Sequence, residues 1–148
     1  MPKRMLTVDV YDAAVQRMQG LYSLGHRIVV SFSGGKDSTV ALEVCIEAAR
    51  RTGRLPVDVV MRDEEIMFPG TFEYCERVMN RPEVSFVWLV MGQPIVNAFN
   101  RSEPYWWVFD DLARDRWVRQ PPPWAVFVRE NSITEMTTPG RFPADPSL

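Results

Sequence analysis

At 148 residues with 46% apolar side chains, the chain suits one domain folded around a single core. Its formal net charge of −2 argues against a protein that coats nucleic acid by bulk positive charge. No apolar run approaches membrane-spanning length, so no membrane association is expected.

The elements are read in chain order from apolar spacing and stop signals. Val10, Tyr11, Ala14, Val15, Met18, Leu21 and Tyr22 recur at helical intervals and predict an amphipathic helix over 9–23, capped by Asp9 and ended by Gly25. A strand is expected over 27–32, then a polar turn, then a helix from about Lys36 to Arg51 with Val40, Val44, Cys45 and Ala48 on one apolar side. Gly53 is its stop. "PVDVVM" predicts a second strand, "DEEIMFPG" a loop, Thr71–Met79 a helix and "VSFVWLVM" a third strand. Apolar strands in a β-α-β-α-β order predict an α/β fold, an open, mostly parallel sheet with helices on both faces. Beyond Gly92, "QPIVNAFN" is read as a short helix. The Trp-rich stretch from Ser102 to Val128 and the turn-rich "TTPGRFPADPSL" come after it. The expected division is a nucleotide-binding domain over 1–125 and a C-terminal extension over 126–148.

The cysteines, Cys45 and Cys75, lie thirty residues apart, and His26 is the sole histidine. No zinc site is expected from so few ligands. Cys45 is expected to be a buried, inert thiol. Hydrolase chemistry would depend on His26 as base, which sits in a turn before a strand and is not expected to serve. The basic start "MPKRMLTVDVYDAAV" lacks the apolar centre of a signal peptide, so a cytoplasmic setting is expected.

The informative stretch is "SFSGGKDS", Ser31 to Ser38, between the first strand and the second helix. In an open parallel sheet, ligands sit beyond the carboxyl ends of strands, where helix starts offer unpaired N–H groups and partial positive charge to phosphate. Gly34 and Gly35 remove side chains that would hold phosphate oxygens away. Ser31, Ser33 and Ser38 supply hydroxyls, and Lys36 a mobile positive charge. Asp37 fits either as a ligand for Mg²⁺ or as a cap for the first helical turn. The Walker and dinucleotide patterns both fail here.

"SFSGGKDS" resembles the PP-loop of the ATP-pyrophosphatase superfamily, pattern SGGxDS, through Ser33, Gly34, Gly35, Asp37 and Ser38. "VVMRDEEIMFPGTFEYCERV" is similar to the second-strand region of phosphoadenosine phosphosulfate (PAPS) reductases, roughly "DTGxxFPET". Asp63, Phe68, Pro69 and Thr71 match it, and Glu64 and Glu65 depart from it. "DVYDAAVQRM" and "SEPYWWVF…DRWVRQPP" resemble the phage- and prophage-associated branch of PAPS-reductase-like proteins. The resemblance spans residues 8 to about 125 and implies an adenine nucleotide alpha hydrolase-like fold that binds ATP or PAPS, with Mg²⁺, at Ser31, Ser33, Gly34, Gly35, Lys36, Asp37, Ser38, Asp63 and Arg119. It implies chemistry at the α-phosphate with Lys36 and Asp37 as catalytic groups and Asp37 and Asp63 as metal ligands. The ECGLH-type cysteine motif of working reductases and the cysteine pairs of iron–sulfur relatives are missing. Thioredoxin-dependent PAPS reduction and an iron–sulfur cluster are therefore not expected. Three readings stay open: a nucleotidyl- or sulfur-transferring enzyme, a nucleotide-dependent regulatory module, and a subunit of a nucleic-acid modification system. In the last, nucleic acid is reached through a protein partner. The Trp-rich C-terminal region is the expected face for a protein partner or a homodimer.

Overall fold

A computed structural model describes residues 7–98, 101–102 and 104–128. The order is α1 Val10–Ser23, β1 Val29–Ser31, α2 Lys36–Thr52, β2 Val57–Asp63, α3 Thr71–Met79, β3 Val84–Met91, β4 Pro94–Val96, β5 Tyr105–Trp107, a 3₁₀ helix Asp111–Arg116 and β6 Val126–Val128. Four strands form one sheet in the order β1-β2-β3-β6, and β4 and β5 form a second. β1 pairs with β2 in parallel, Val30 opposite Val59, and β3 pairs with β6 in parallel, Val90 opposite Phe127. The expected α/β class with a mostly parallel sheet is the observed one. Contacts divide the chain into two compact units. One is built from the described residues up to Met61 together with Phe68–Val87. The other is built from Arg62–Met67 and the described residues from Trp88 to Val128.

In the first unit the helix boundaries obey local chemistry. The Asp9 carboxylate accepts the Asp12 N–H at 2.8 Å, a side-chain N-cap. α2 starts after Gly35 and ends at Gly53, whose φ of 67° supplies the left-handed turn that closes a helix. α1 packs on α2, and the core gathers Val15, Leu42, Ile46, Ala48, Val57, Val59 and Met61. The apolar faces differ from the expected ones. In α1 Val10 is exposed and the buried residues are Val15 and Tyr22, and in α2 Val40 is exposed while the buried face runs through Leu42, Val44, Cys45, Ile46, Ala48 and Ala49. β1 is shorter than expected, although the Phe32 N–H continues the ladder to Val60 O at 2.8 Å.

In the second unit the short helix expected in "QPIVNAFN" is a strand. β4 pairs antiparallel with β5, Ile95 opposite Trp106, and Asn97 N–H to Pro104 O (2.8 Å) and Val108 N–H to Gln93 O (3.0 Å) bracket the ladder. Pro94 gives no N–H to a helix, and β-branched Ile95 and Val96 favour the pleated state once Trp106 and Trp107 offer a partner strand. The C-terminal extension expected from 126 opens with β6, which belongs to the main sheet. The rest of that extension, 129–148, lies outside the described residues, as do Phe99, Asn100 and Glu103.

Candidate functional site

The first unit carries the loop. Ser31 ends β1, and the chain turns through Phe32–Gly35 into α2. Gly34 has φ 73°, a conformation that L side chains rarely adopt, and a Cβ there would lie 2.8 Å from Thr71 Cγ2 and 2.9 Å from Cys75 Sγ. The loop thus presses against the start of α3 through a position that only glycine fits. Gly35 is different: its φ is −81° and a Cβ would meet only Ser33 Oγ, at 3.4 Å.

The serines brace the turn from within. Ser33 Oγ and Ser38 Oγ are 3.0 Å apart, Ser38 Oγ donates to Gly35 O at 2.9 Å, and Ser33 N–H donates to Ser38 Oγ at 3.3 Å. Thr39 Oγ1 also donates to Gly35 O at 2.9 Å and accepts from the Tyr74 hydroxyl at 3.1 Å, which ties α3 to the beginning of α2. Neither Thr39 nor Tyr74 stood out in the sequence, since a hydroxyl pair thirty-five residues apart has no local signature. Lys36 and Asp37 are exposed, and Asp37 lies in the first turn of α2, whose N-cap is Gly35 and supplies no side-chain bond. The first N–H groups of a helix have no intrahelical acceptor, so the loop presents main-chain donors, one cation and one carboxylate together.

The second unit brings Asp63 and Arg119 together. The Asp63 side chain is fully buried at the end of β2. Its Oδ1 accepts from Glu65 N–H at 2.8 Å and from the Arg119 guanidinium, and its Oδ2 accepts from Trp88 Nε1 at 2.8 Å. Arg119 also lies over the Phe109 ring, 5.5 Å from its centre. Glu65, expected in an acidic loop, is 1% exposed. Its Oε2 accepts Phe109 N–H and its Oε1 accepts Val118 N–H, each at 2.7 Å. Glu65 stands where the DTGxxFPET pattern has glycine, and its φ of 61° is a glycine-type value. The two acids are therefore acceptors for the main chain and for the buried Trp88, a role the sequence concealed because the donors lie up to 56 residues away. Glu64 instead pairs with Arg62 at the surface. Among the described residues, no group of three or more His, Cys, Asp or Glu side chains is arranged to hold a metal ion.

Both cysteines are buried free thiols, and burial raises the Cys45 thiol above its ordinary pKa. Among the described residues, no helix is long and apolar enough to cross a membrane.

The phosphoadenosine phosphosulfate reductase domain model matches residues 27–111, from β1 to the start of the 3₁₀ helix. The chain belongs to this domain family. It is also 31% identical over 124 residues to an uncharacterized protein of Escherichia coli (strain K12), YbdN. That match covers 82% of this chain and 30% of the relative, so the chain spans less than a third of the protein it resembles. No solved structure matches. The family match agrees with an adenylated nucleotide as the bound molecule.

Proposed function

We propose that the chain binds ATP or PAPS with its phosphates on the Ser33–Ser38 loop and serves chemistry at the α-phosphate. The observation that carries this reading is the loop itself. A glycine with φ 73° sits against Thr71 and Cys75, opening a seventeen-residue helix whose first turn exposes Lys36 and Asp37. Phosphate oxygens placed there meet main-chain N–H groups and a positive helix end. Lys36 would neutralise charge that builds on the phosphates, and catalysis of this kind needs positioning more than a protein nucleophile.

The residues suit Mg²⁺ bound jointly with phosphate. Asp37 offers an exposed carboxylate, and a Mg²⁺ ion keeps waters and takes its remaining ligands from phosphate. Asp63 would gain a metal only by giving up hydrogen bonds to Trp88 or Arg119. Its observed role is to hold the Arg119 guanidinium within the second unit. The buried cysteines favour transfer at the α-phosphate over a thiol-dependent reduction, which needs an accessible thiolate. A PP-loop transferase, as the phage-associated branch implies, is the form of enzyme we infer.

Calorimetric titration of the protein with ATP and with PAPS, with and without Mg²⁺, tests the reading. Lys36→Ala should weaken binding by roughly 1.5–3 kcal/mol if its contacts are charge-assisted, and Asp37→Asn should reduce the Mg²⁺ dependence. Gly35→Val should lose binding while keeping the fold, since its Cβ has room. Unchanged affinity in folded Gly35→Val would refute the phosphate assignment. Pyrophosphate release from ATP with candidate acceptors then separates an enzyme from a regulatory module.

A further inference from the structure

The first unit contains a hollow of about 190 Å³ whose lining includes Tyr22, His26, Arg27, Arg54 and Asp58. His26 and Arg27 lie just ahead of β1, and Arg54 lies just ahead of β2. The hollow therefore sits at the amino ends of two parallel strands, whereas the Ser33–Ser38 loop follows the carboxyl end of β1. We infer that it is a binding site for one phosphate group, free or carried on a short carbon stem. This goes beyond the nucleotide reading and does not depend on it.

Charge is the first constraint. Arg27 Nε donates to Asp58 Oδ2 at 2.7 Å, so that pair is neutral. Among the described residues, the exposed Arg54 and His26 side chains have no hydrogen-bond or ionic partner. Both follow a helix end, where a cation can serve the last carbonyls. Here the main chain already serves them. Gly20 O, Tyr22 O and Leu21 O accept from the Leu24, Gly25 and His26 N–H groups at 3.1, 3.0 and 3.2 Å, and Ala49 O accepts from Arg54 N–H at 2.8 Å. A guanidinium and an imidazole are left beside one carboxylate that is already paired, so the occupant is an anion.

The floor of the hollow is the second constraint. Tyr22 is 5% exposed, and its hydroxyl is buried without a hydrogen-bond partner among the described residues. Burial, and then the neighbouring Cys45 thiol and Asp58 carboxylate, raise its pKa above the ordinary phenol value. The hydroxyl stays protonated, a donor without an acceptor, which is costly inside a protein. An anionic oxygen in the hollow would supply the acceptor, directly or through a bridging water.

Size and shape are the third constraint. Sites for drug-sized ligands run from about 300 Å³ upward, so this hollow suits a phosphate with few further atoms and not a whole nucleotide. A guanidinium fork takes two oxygens of one phosphate, and the remaining oxygens serve the imidazole and the phenol. A carboxylate has too few oxygens to meet all three donors.

His26 is the sole histidine of the chain, so its imidazole Cε1–H gives one ¹H resonance that reports on this hollow. The untagged full chain is titrated at constant pH and ionic strength with inorganic phosphate, with glycerol phosphate and with acetate. The expected result is a saturable shift of that resonance by one or both phosphates, retained in Gly35→Val, whose altered loop follows the other end of β1. Arg54→Ala should weaken binding by about tenfold, the loss of one charge-assisted contact. Tyr22→Phe should weaken it by about threefold and leave the ligand-free protein no less stable in urea, because the orphaned hydroxyl is gone. A response to inorganic phosphate alone assigns the free ion, a response to glycerol phosphate alone assigns a phosphomonoester, and a response to both assigns the phosphate group itself. No saturable shift, a shift equalled by acetate, a shift lost in folded Gly35→Val, or unchanged affinity in either Arg54→Ala or Tyr22→Phe would each overturn the proposal.

Discussion

Replacing Asp63 by asparagine keeps its size and removes its charge, and the structure sets the cost. Three donors converge on two buried oxygens: Glu65 N–H and the Arg119 guanidinium on Oδ1, and Trp88 Nε1 on Oδ2 at 2.8 Å. An asparagine can leave its oxygen toward Glu65 and Arg119, but its NH₂ then faces the Trp88 N–H. One bond becomes a donor–donor contact, and the ion pair becomes a neutral hydrogen bond. The Arg119 side chain is 22% exposed, so water recovers part of its loss. The Trp88 side, in a residue 2% exposed, recovers none. Asp63→Asn should therefore cost about 3–5 kcal/mol. Trp88→Phe in that background removes the orphaned donor, and the cycle should show a coupling of about 1–2 kcal/mol. Urea unfolding monitored by far-ultraviolet circular dichroism, which does not rely on the altered tryptophan, measures both. An asparagine variant within about 0.5 kcal/mol of the parent, the range of ordinary surface changes, would refute the argument.

Glu65→Gln should cost about 2–4 kcal/mol in the same assay, because one amide oxygen cannot accept from both Phe109 and Val118 in a buried site. Gly34→Ala should destabilise by about 2–4 kcal/mol through its positive φ and the clash with Thr71 and Cys75, while Gly35→Ala stays within a few tenths. Thermal melting of the two alanine variants side by side reads the contrast. The raised pKa of buried Cys45 keeps the folded thiol protonated. Its contribution to stability is complete below the ordinary thiol pKa and falls as pH rises toward the folded value, where the unfolded chain has already lost its proton. Folded protein should accordingly alkylate slowly with iodoacetamide at pH 8 and rapidly in urea, measured by mass spectrometry.

Much of the first unit was readable because its signals are local. Asp9 caps the N–H of Asp12, three residues along, Gly53 terminates α2, and the bare turn before Lys36 stands out by composition. The hairpin of β4 and β5 was not readable, since three residues carry no periodicity and their antiparallel partner lies eleven residues further along the chain. Val40 shows the limit of a helical stripe: apolar spacing marks a face but not its edge, and the edge is decided by the groups that pack there. Ser33 and Ser38 were legible as loop residues, but their mutual bond and its tie through Thr39 to Tyr74 are tertiary facts. The same holds for Glu65. An acid at a glycine position of a motif reads as a departure until the main-chain donors that require it are in place.

Those donors set a timetable for synthesis. Glu65 leaves the ribosome 44 residues before Phe109 and 53 before Val118, and Asp63 leaves 56 before Arg119. At about 5–20 residues per second this is a wait of roughly 2–11 s. During it the two carboxylates belong to a chain whose next folding unit does not yet exist. A nascent chain halted before Phe109 already holds Trp88 and its acceptor Asp63, but it lacks both main-chain donors to Glu65 and the Arg119 guanidinium. The full set of bonds to the Asp63–Glu65 segment can therefore form only once residue 119 is made.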